Sequence, residues 1–195
     1  MNYLGHAVLS FGDGEILTGN MIGDHVKGRL ILETFPEKIK QGALLHRKID
    51  AFADAHPATQ RAKVWFREHY GLYSGAVIDI LYDHFLANDA KLFGSEAELL
   101  AFTQKTYAQI NEQAQWLPEK FAAYFPHMEQ NNWLYGYRTV QGVQRSLNGL
   151  KHKAKYISEV DTAYKTFITY YYQLAQCYYE YIDDAIKYVK IELSH

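Results

Sequence analysis

An apolar stretch at residues 77–87 contains two carboxylates, and this combination constrains the fold more than any other feature of the sequence. At about 100° per residue, the stretch is apolar almost all the way round, which is typical of a buried helix. Asp79 and Asp83 lie four residues apart and therefore share one helix face, and His84 follows directly. Because burying an unpaired carboxylate is costly, these groups need an arginine, a set of hydrogen-bond donors or a metal ion as their partner.

Composition excludes several classes of protein. The net charge of −2 argues against a protein that binds nucleic acid through bulk charge. The single Cys177 excludes an intramolecular disulfide and a cysteine-based zinc cluster. No segment approaches the roughly 18 uninterrupted apolar residues of a membrane span, and the N-terminal residues lack the basic segment of a signal peptide. We therefore expect a cytoplasmic protein without nucleic-acid or membrane partners, whose oligomeric state the sequence leaves open.

Helical signals run through nearly the whole chain. With four Pro and no run of short alternating strands, the 195 residues predict one all-α domain, a bundle of roughly nine helices. The predicted helices cover residues 15–27, ended by Gly28, then 36–55, 57–70, 74–92, 95–111, two short helices around Pro118 and Pro126, 139–150, and a long Tyr-rich helix at about 158–193.

Three pairs of candidate metal ligands share an i,i+4 spacing. They are Asn20 with Asp24, His46 with Asp50, and Asp79 with Asp83. Helices that present such pairs inward can enclose one or two divalent cations. The mixture of imidazole and carboxylate without thiolate suits Mn²⁺ or Mg²⁺, with Fe or Zn as alternatives. The alternative for each pair is structural, since such side chains also bond helix ends, form surface ion pairs or satisfy one another in a core.

Basic residues lie close to these candidate ligands in the sequence. Arg47 and Lys27 could hold a phosphate, because a guanidinium matches phosphate oxygens in a bidentate fork. Alternatively, Arg47 neutralises the buried carboxylates. Two further clusters are more typical of solvated surfaces, namely Arg61, Lys63 and Arg67, and the group Lys151, His152, Lys153 and Lys155.

Several of these stretches, in this order, resemble the bacterial acyl carrier protein phosphodiesterases, also called acyl carrier protein hydrolases. The matching stretches are residues 1–6, 19–24, 46–50 and 79–86, followed by 137–138 and 147–149. The resemblance extends to about residue 155. It implies an all-helical fold like a variant of the HD-type metal phosphohydrolases, although Asp83-His84 has the opposite order to the His-Asp pair of that superfamily.

The resemblance also implies an activity, a cofactor and a partner. Members of the family remove 4′-phosphopantetheine from holo acyl carrier protein in lipid metabolism and fatty acid biosynthesis, using a divalent metal that is typically Mn²⁺, with Mg²⁺ or Fe²⁺ as alternatives. Because acyl carrier protein is acidic, we expect a basic docking surface. The candidates for that surface are Lys27, Arg29, Arg61, Arg67 and residues 151–155.

Roles for individual residues follow from the same resemblance. The predicted main ligands are Asp24, His46, Asp83 and His84, with His6 and Asp50 as further ligands or as groups that orient them. Asp79 is predicted to orient a ligand or to accept a proton from water, and Asp50 and Arg47 are predicted to share in catalysis. The predicted substrate contacts are Asn20, Lys27, Arg47, Asn148 and Lys151.

Two other functions are compatible with the same residues. One is an HD-like hydrolase of a nucleotide or another small phosphoester, in which the basic residues bind phosphates rather than a protein. The other is a helical binding module without catalysis, in which the buried Asp and His side chains satisfy one another.

Overall fold

The structure, a computed structural model, describes residues 1–28, 32–154 and 157–194, and for Lys153 only the backbone. In these ranges it has eleven α-helices and no strand, which confirms the all-α prediction. The helices are α1 (Tyr3–Val8), α2 (Gly14–Ile22), α3 (Glu37–Ala55), α4 (Pro57–Tyr70), α5 (Ser74–Ala87), α6 (Glu96–Glu112), α7 (Glu119–Gln130), α8 (Trp133–Gly136), α9 (Val140–Lys153), α10 (Asp161–Thr169) and α11 (Tyr171–Leu193). Short 3₁₀ turns cover Gly23–His25, Gly71–Tyr73 and Ala114–Trp116. None of the described helices combines the length and apolar character that crossing a bilayer requires.

Local capping signals predicted the starts of several helices correctly. Helix α3 begins directly after Pro36, and Pro57 occupies the first turn of α4, where a missing N–H is tolerated. The capping box before α6 is also present. Ser95 Oγ accepts the Glu98 N–H at 3.2 Å, and the Glu98 carboxylate accepts the Gly94 N–H at 3.1 Å.

Two predicted helices end earlier than the sequence indicated. Helix α2 stops at Ile22 and continues as a 3₁₀ turn, so Gly28 does not cap it. Helix α5 stops at Ala87 rather than near residue 92. There the Asn88 side chain donates to the His84 carbonyl at 2.8 Å and so satisfies the last turn, as short amides commonly do at helix ends.

The helix pattern near Pro126 and at the C-terminus also differs from the prediction. Pro126 lies inside the single helix α7 rather than in a separate short helix. The predicted long C-terminal helix is divided at Tyr170 into α10 and α11. The Tyr170 ring stacks on Trp65 of α4 with ring centroids 5.4 Å apart, a tertiary contact that periodicity cannot reveal.

Helix α5 is buried, as predicted, and aromatic rings of α10 and α11 cover it. Tyr82 stacks on Tyr181 with centroids 5.2 Å apart, and Phe85 packs edge-on against Tyr171 at 5.1 Å. Phe167 of α10 contacts the ring of His84 at 5.2 Å. The Tyr-rich C-terminal segment therefore forms one wall of the core around α5.

Helices α2 and α3 approach each other closely enough for their backbones to touch. A Cβ added at Gly19 would lie 1.9 Å from the Ile39 carbonyl oxygen, and one at Gly42 would lie 2.2 Å from the Ile16 carbonyl oxygen. Both distances are far below any van der Waals contact. Glycine at these two positions is therefore required for the approach that brings Asn20 of α2 beside His46 of α3.

Replacing Gly19 by Ala should lower the free energy of unfolding by at least about 2 kcal/mol, because the new methyl group meets backbone that cannot move aside. Gly149→Ala is the matched control. Gly149 is exposed within α9 with nothing near its would-be Cβ, so the same change should be neutral or stabilise by up to about 1 kcal/mol. Urea denaturation measures both values, and equal effects of the two substitutions would contradict the close packing of α2 on α3.

Candidate metal centre

Three segments bring four imidazole and carboxylate groups to one place. Helix α1 supplies His6, the 3₁₀ turn after α2 supplies Asp24, and α3 supplies His46 and Asp50. A Cβ at Gly23 would lie 2.3 Å from His46 Cγ, so the turn passes directly against the imidazole ring. This approach places the Asp24 carboxylate oxygen 3.3 Å from His46 Nε2.

The Asn20 side chain orients His6. Its amide nitrogen donates to the His6 carbonyl oxygen at 2.9 Å and to Ser10 Oγ at 3.0 Å, which leaves Asn20 Oδ1 facing His6 Nδ1 at 2.8 Å. Because Oδ1 can only accept, His6 Nδ1 carries the proton. The lone pair of His6 therefore lies on Nε2, and this nitrogen lies 3.2 Å from Asp50 Oδ1.

The backbone of the same asparagine orients His46. His46 Nδ1 donates to the Asn20 carbonyl oxygen at 2.8 Å, so this ring also presents Nε2 to the group. His46 Nε2 lies 3.2 Å from Asp50 Oδ2, and the two imidazole rings stack with centroids 4.0 Å apart. Such bonds from Nδ1–H to an oxygen are the usual way in which proteins fix metal-binding histidines.

The electrostatics of the group are strongly perturbed. Burial, and then the neighbouring His46, lower the pKa of His6 to about 4, so His6 is neutral at pH 7. Burial also opposes charge on His46, but the Asp24 and Asp50 carboxylates outweigh it and raise the pKa of His46 to about 9. Against its own burial, the pKa of Asp50 is held well below its usual value by His46 and His6. Asp50 is therefore ionised at neutral pH.

The donor set fits a divalent cation. One ligand atom from each of His6, His46 and Asp50 lies within 4.8 Å of the others, and Asp24 adds a further carboxylate beside His46. His6 is 2% exposed, and its Nε2 is a buried nitrogen without a hydrogen-bond partner in the described part of the protein. A buried nitrogen lone pair and a carboxylate oxygen that face each other are both electron-rich. A metal ion bound between them would satisfy both atoms.

Asp79 and Arg47, both predicted to act in catalysis, bond to backbone atoms outside the group. Asp79 Oδ1 accepts from the backbone nitrogen of Met1 at 2.9 Å, and the same nitrogen lies 3.8 Å from Asp50 Oδ1. Burial raises the pKa of Asp79. Arg47 points along α3 towards the loop after the 3₁₀ turn, where its Nη2 donates to the Val26 carbonyl oxygen at 2.7 Å. Lys27, next in that loop, is exposed.

Asp83 is not part of the group, in contrast to the ligand role predicted for it. Its side chain is fully buried, and its oxygens accept the backbone N–H groups of the first turn of α1, from Asn2 at 3.2 Å, Leu4 at 2.7 Å and Gly5 at 3.0 Å. Burial raises the pKa of Asp83 to about 7, although these donors favour the charged form. Of the three partners considered for the buried carboxylates, Asp83 has the set of hydrogen-bond donors.

His84 and the two predicted substrate contacts on α9 also lie apart from the group. His84 Nδ1 bonds to the Tyr137 carbonyl oxygen at 2.8 Å, and its Nε2 bonds to the Tyr171 hydroxyl at 3.0 Å. Asn148 bonds to the Gln144 carbonyl of its own helix at 3.0 Å, and Lys151 is exposed. Arg29 and Lys155, predicted to dock the partner, lie outside the described residues.

Sequence reasoning missed Lys63 as a residue of the site region. Its ammonium lines a cavity that also contains Asp50 and Asp79. A signal for it was present, because Lys63 falls on the same helical stripe as Thr59, Phe66 and Tyr70, which are all buried. A lysine on a core-facing stripe is rare unless its charge is paired, so this position indicates a specific partner.

Fold and site together define an all-helical protein with a His/Asp cluster suited to a divalent cation. A family model for acyl carrier protein phosphodiesterase matches residues 1–185. A protein of Enterobacter sp. (strain 638) named acyl carrier protein phosphodiesterase is 26% identical over 181 residues, 93% of each chain. Proteins of the same name from Salmonella paratyphi A and Salmonella agona are 28% identical over 153 residues, 78% of this chain and 79% of theirs.

The chain therefore belongs to the acyl carrier protein phosphodiesterase family, which confirms the class predicted from the sequence, a hydrolase acting on a phosphodiester bond. The comparison with solved structures gives no match. The HD-like architecture therefore stays a prediction.

The contrast between Asp83 and Asp24 can be tested through stability. Asp83→Ala leaves three backbone N–H groups of α1 unsatisfied and should lower the free energy of unfolding by about 3 kcal/mol or more. The same substitution at the exposed Asp24 should change it by less than about 1 kcal/mol. Chemical denaturation of both variants is the measurement, and an Asp83→Ala protein as stable as the wild type would contradict the structural role of Asp83.

Proposed function

We propose that this protein hydrolyses the phosphodiester that joins 4′-phosphopantetheine to acyl carrier protein, and that it uses a divalent cation held by His6, His46, Asp50 and Asp24. The observation that carries the proposal is the buried Nε2 of His6, which has no hydrogen-bond partner among the residues that the structure describes and lies 3.2 Å from Asp50. The acyl carrier protein named in the family and in its relatives supports the substrate.

The ligand set proposed here replaces part of the set predicted from the sequence. Asp83 and His84 are left out, because their polar atoms already bond to the backbone of α1, to Tyr137 and to Tyr171. Two imidazoles and two carboxylates suit Mn²⁺ or Fe²⁺ better than Mg²⁺, which prefers oxygen ligands. When bound, such a cation neutralises charge on the phosphoryl oxygens and lowers the pKa of water.

The residues of the chain have separate tasks in this proposal. Asn20 accepts the Nδ1–H of both imidazoles and so turns Nε2 of each ring towards Asp50. A cation would take the place of the Nε2 proton that Asp24 and Asp50 hold on His46. Asp79 lines the same cavity as Asp50, and burial raises its pKa, which makes it a stronger base for accepting a proton from the attacking water. The water oxygen joins phosphorus, the ester P–O bond breaks, and the leaving oxygen on acyl carrier protein takes up a proton. The products are the apo protein and 4′-phosphopantetheine.

Incubating holo acyl carrier protein with the purified protein tests the proposal. After removal of metal with a chelator and addition of Mn²⁺, we expect intact-protein mass spectrometry to show loss of the prosthetic group, and no conversion without metal. His46→Gln should slow conversion by about 100-fold or more because it removes a ligand. His127→Gln is the matched control on the exposed side of α7 and should convert at the wild-type rate.

Two results would contradict this function. Conversion by metal-free protein at the wild-type rate would remove the role of the cation. Turnover of free nucleotides faster than holo acyl carrier protein would favour the alternative of a small-phosphoester hydrolase.

A further inference from the structure

A cavity of about 340 Å³ adjoins the candidate metal centre. It lies between α3, α4 and the start of α5, and its polar lining residues are Asp50, Asp54, Lys63, Arg67, Ser74 and Asp79. Asp50 is one of the proposed ligands, and Asp79 is the proposed proton acceptor. The cavity is therefore continuous with the place where the phosphodiester would react.

The most unusual group in the cavity is the Lys63 ammonium. Lys63 is 8% exposed, which is rare for a lysine unless it is paired. Its Nζ lies 2.5 Å from Asp54 Oδ1, and a Cβ at Gly75 would lie 3.6 Å from the same Nζ. An ammonium carries three donors, and Asp54 provides the only acceptor among the described residues. Two donors thus remain for a ligand.

Each carboxylate of the cavity has a cationic partner of its own, which leaves the two free donors of Lys63 and the charge of Arg67 for an anionic ligand. Asp54 pairs with Lys63, Asp79 pairs with the Met1 nitrogen, and Asp50 faces the two imidazoles and the cation proposed above. Arg67 adds a second positive charge, with its Nη2 bonded to the neutral Gln60. The first turn of α5, a helix of 14 residues, also lines the cavity, and its N-terminal end carries positive potential.

We propose that this cavity binds the phosphoryl group of the substrate, with the Lys63 ammonium donating to a phosphoryl oxygen and Arg67 contributing at the cavity mouth. The proposal rests on the proposed function, because it deepens the same site. It assigns to Lys63 the phosphate-binding role that the sequence suggested for Arg47. The Arg47 guanidinium bonds instead to the Val26 carbonyl oxygen, and Arg47 is absent from the cavity lining.

Binding of methyl phosphate, a small soluble phosphate monoester, tests the proposal without relying on turnover. Isothermal titration of the Mn²⁺-loaded protein should show binding that Lys63→Met weakens by about tenfold or more and Lys63→Arg weakens less. Lys91→Met is the matched control. Lys91 is exposed and pairs with Asp183 on the surface, at 3.6 Å, so methyl phosphate affinity should stay within about twofold of wild type.

The variants also need a readout that separates binding from folding and from metal loss. Mn²⁺ affinity, measured by titration, should be the same in wild type and in Lys63→Met, because Lys63 bonds to Asp54 and not to any of the proposed ligands. Lys63→Met leaves the Asp54 carboxylate without its partner, so the double variant Lys63→Met/Asp54→Asn, which removes that charge, should be folded and should bind methyl phosphate as weakly. With holo acyl carrier protein, Lys63→Met should raise KM.

Each result decides between the two proposals. Methyl phosphate binding of equal strength in wild type and Lys63→Met, or no binding to the wild type at all, would overturn the phosphate site. If the wild type binds methyl phosphate through Lys63 but does not convert holo acyl carrier protein, the phosphate site stands and the proposed substrate fails. If the wild type converts holo acyl carrier protein and Lys63→Met leaves both KM and methyl phosphate affinity unchanged, the proposed substrate stands and the phosphate site fails.

Discussion

The arrangement of the candidate metal centre depends on a single residue, Asn20. Its side-chain oxygen holds the Nδ1–H of His6, and its backbone oxygen holds the Nδ1–H of His46. Both rings therefore present Nε2 to Asp50. The bond to His46 depends on the close contact of α2 and α3 at Gly19 and Gly42. This contact brings the Asn20 carbonyl of α2 within hydrogen-bond distance of the His46 ring on α3.

Helix α5 carries two carboxylates with different surroundings, one that bonds to the start of α1 and one that lines the cavity. Asp79 and Asp83 share a helix face, but their partners differ because α1 crosses that face. Asp83 accepts the free N–H groups at the start of α1 and so fixes the position of the helix that carries His6. Asp79, one turn earlier, lines the cavity beside Asp50. The deeper carboxylate supports the fold, and the shallower one is the proton acceptor that we propose for the reaction.

Local patterns predicted the helices and which side chains of the candidate site share a helix face. Pro36, Pro57 and the Ser95 capping box define helix starts through interactions within a few residues, and the spacing of His46 and Asp50 places both on one face of α3. The hydrogen-bond partners of Asp83 and His84 could not be predicted, because the sequence shows that a carboxylate is buried without showing which of three kinds of partner it meets. His84 is adjacent in sequence but points to α9 and α11, since consecutive helical residues lie on different faces.

An anomalous difference map, measured at the manganese absorption edge from crystals grown with Mn²⁺, would locate the cation. A peak is expected within coordination distance of His6 Nε2, His46 Nε2 and an Asp50 oxygen. A peak beside Asp83 and His84, or no peak near the two stacked imidazoles, would contradict the proposed ligand set.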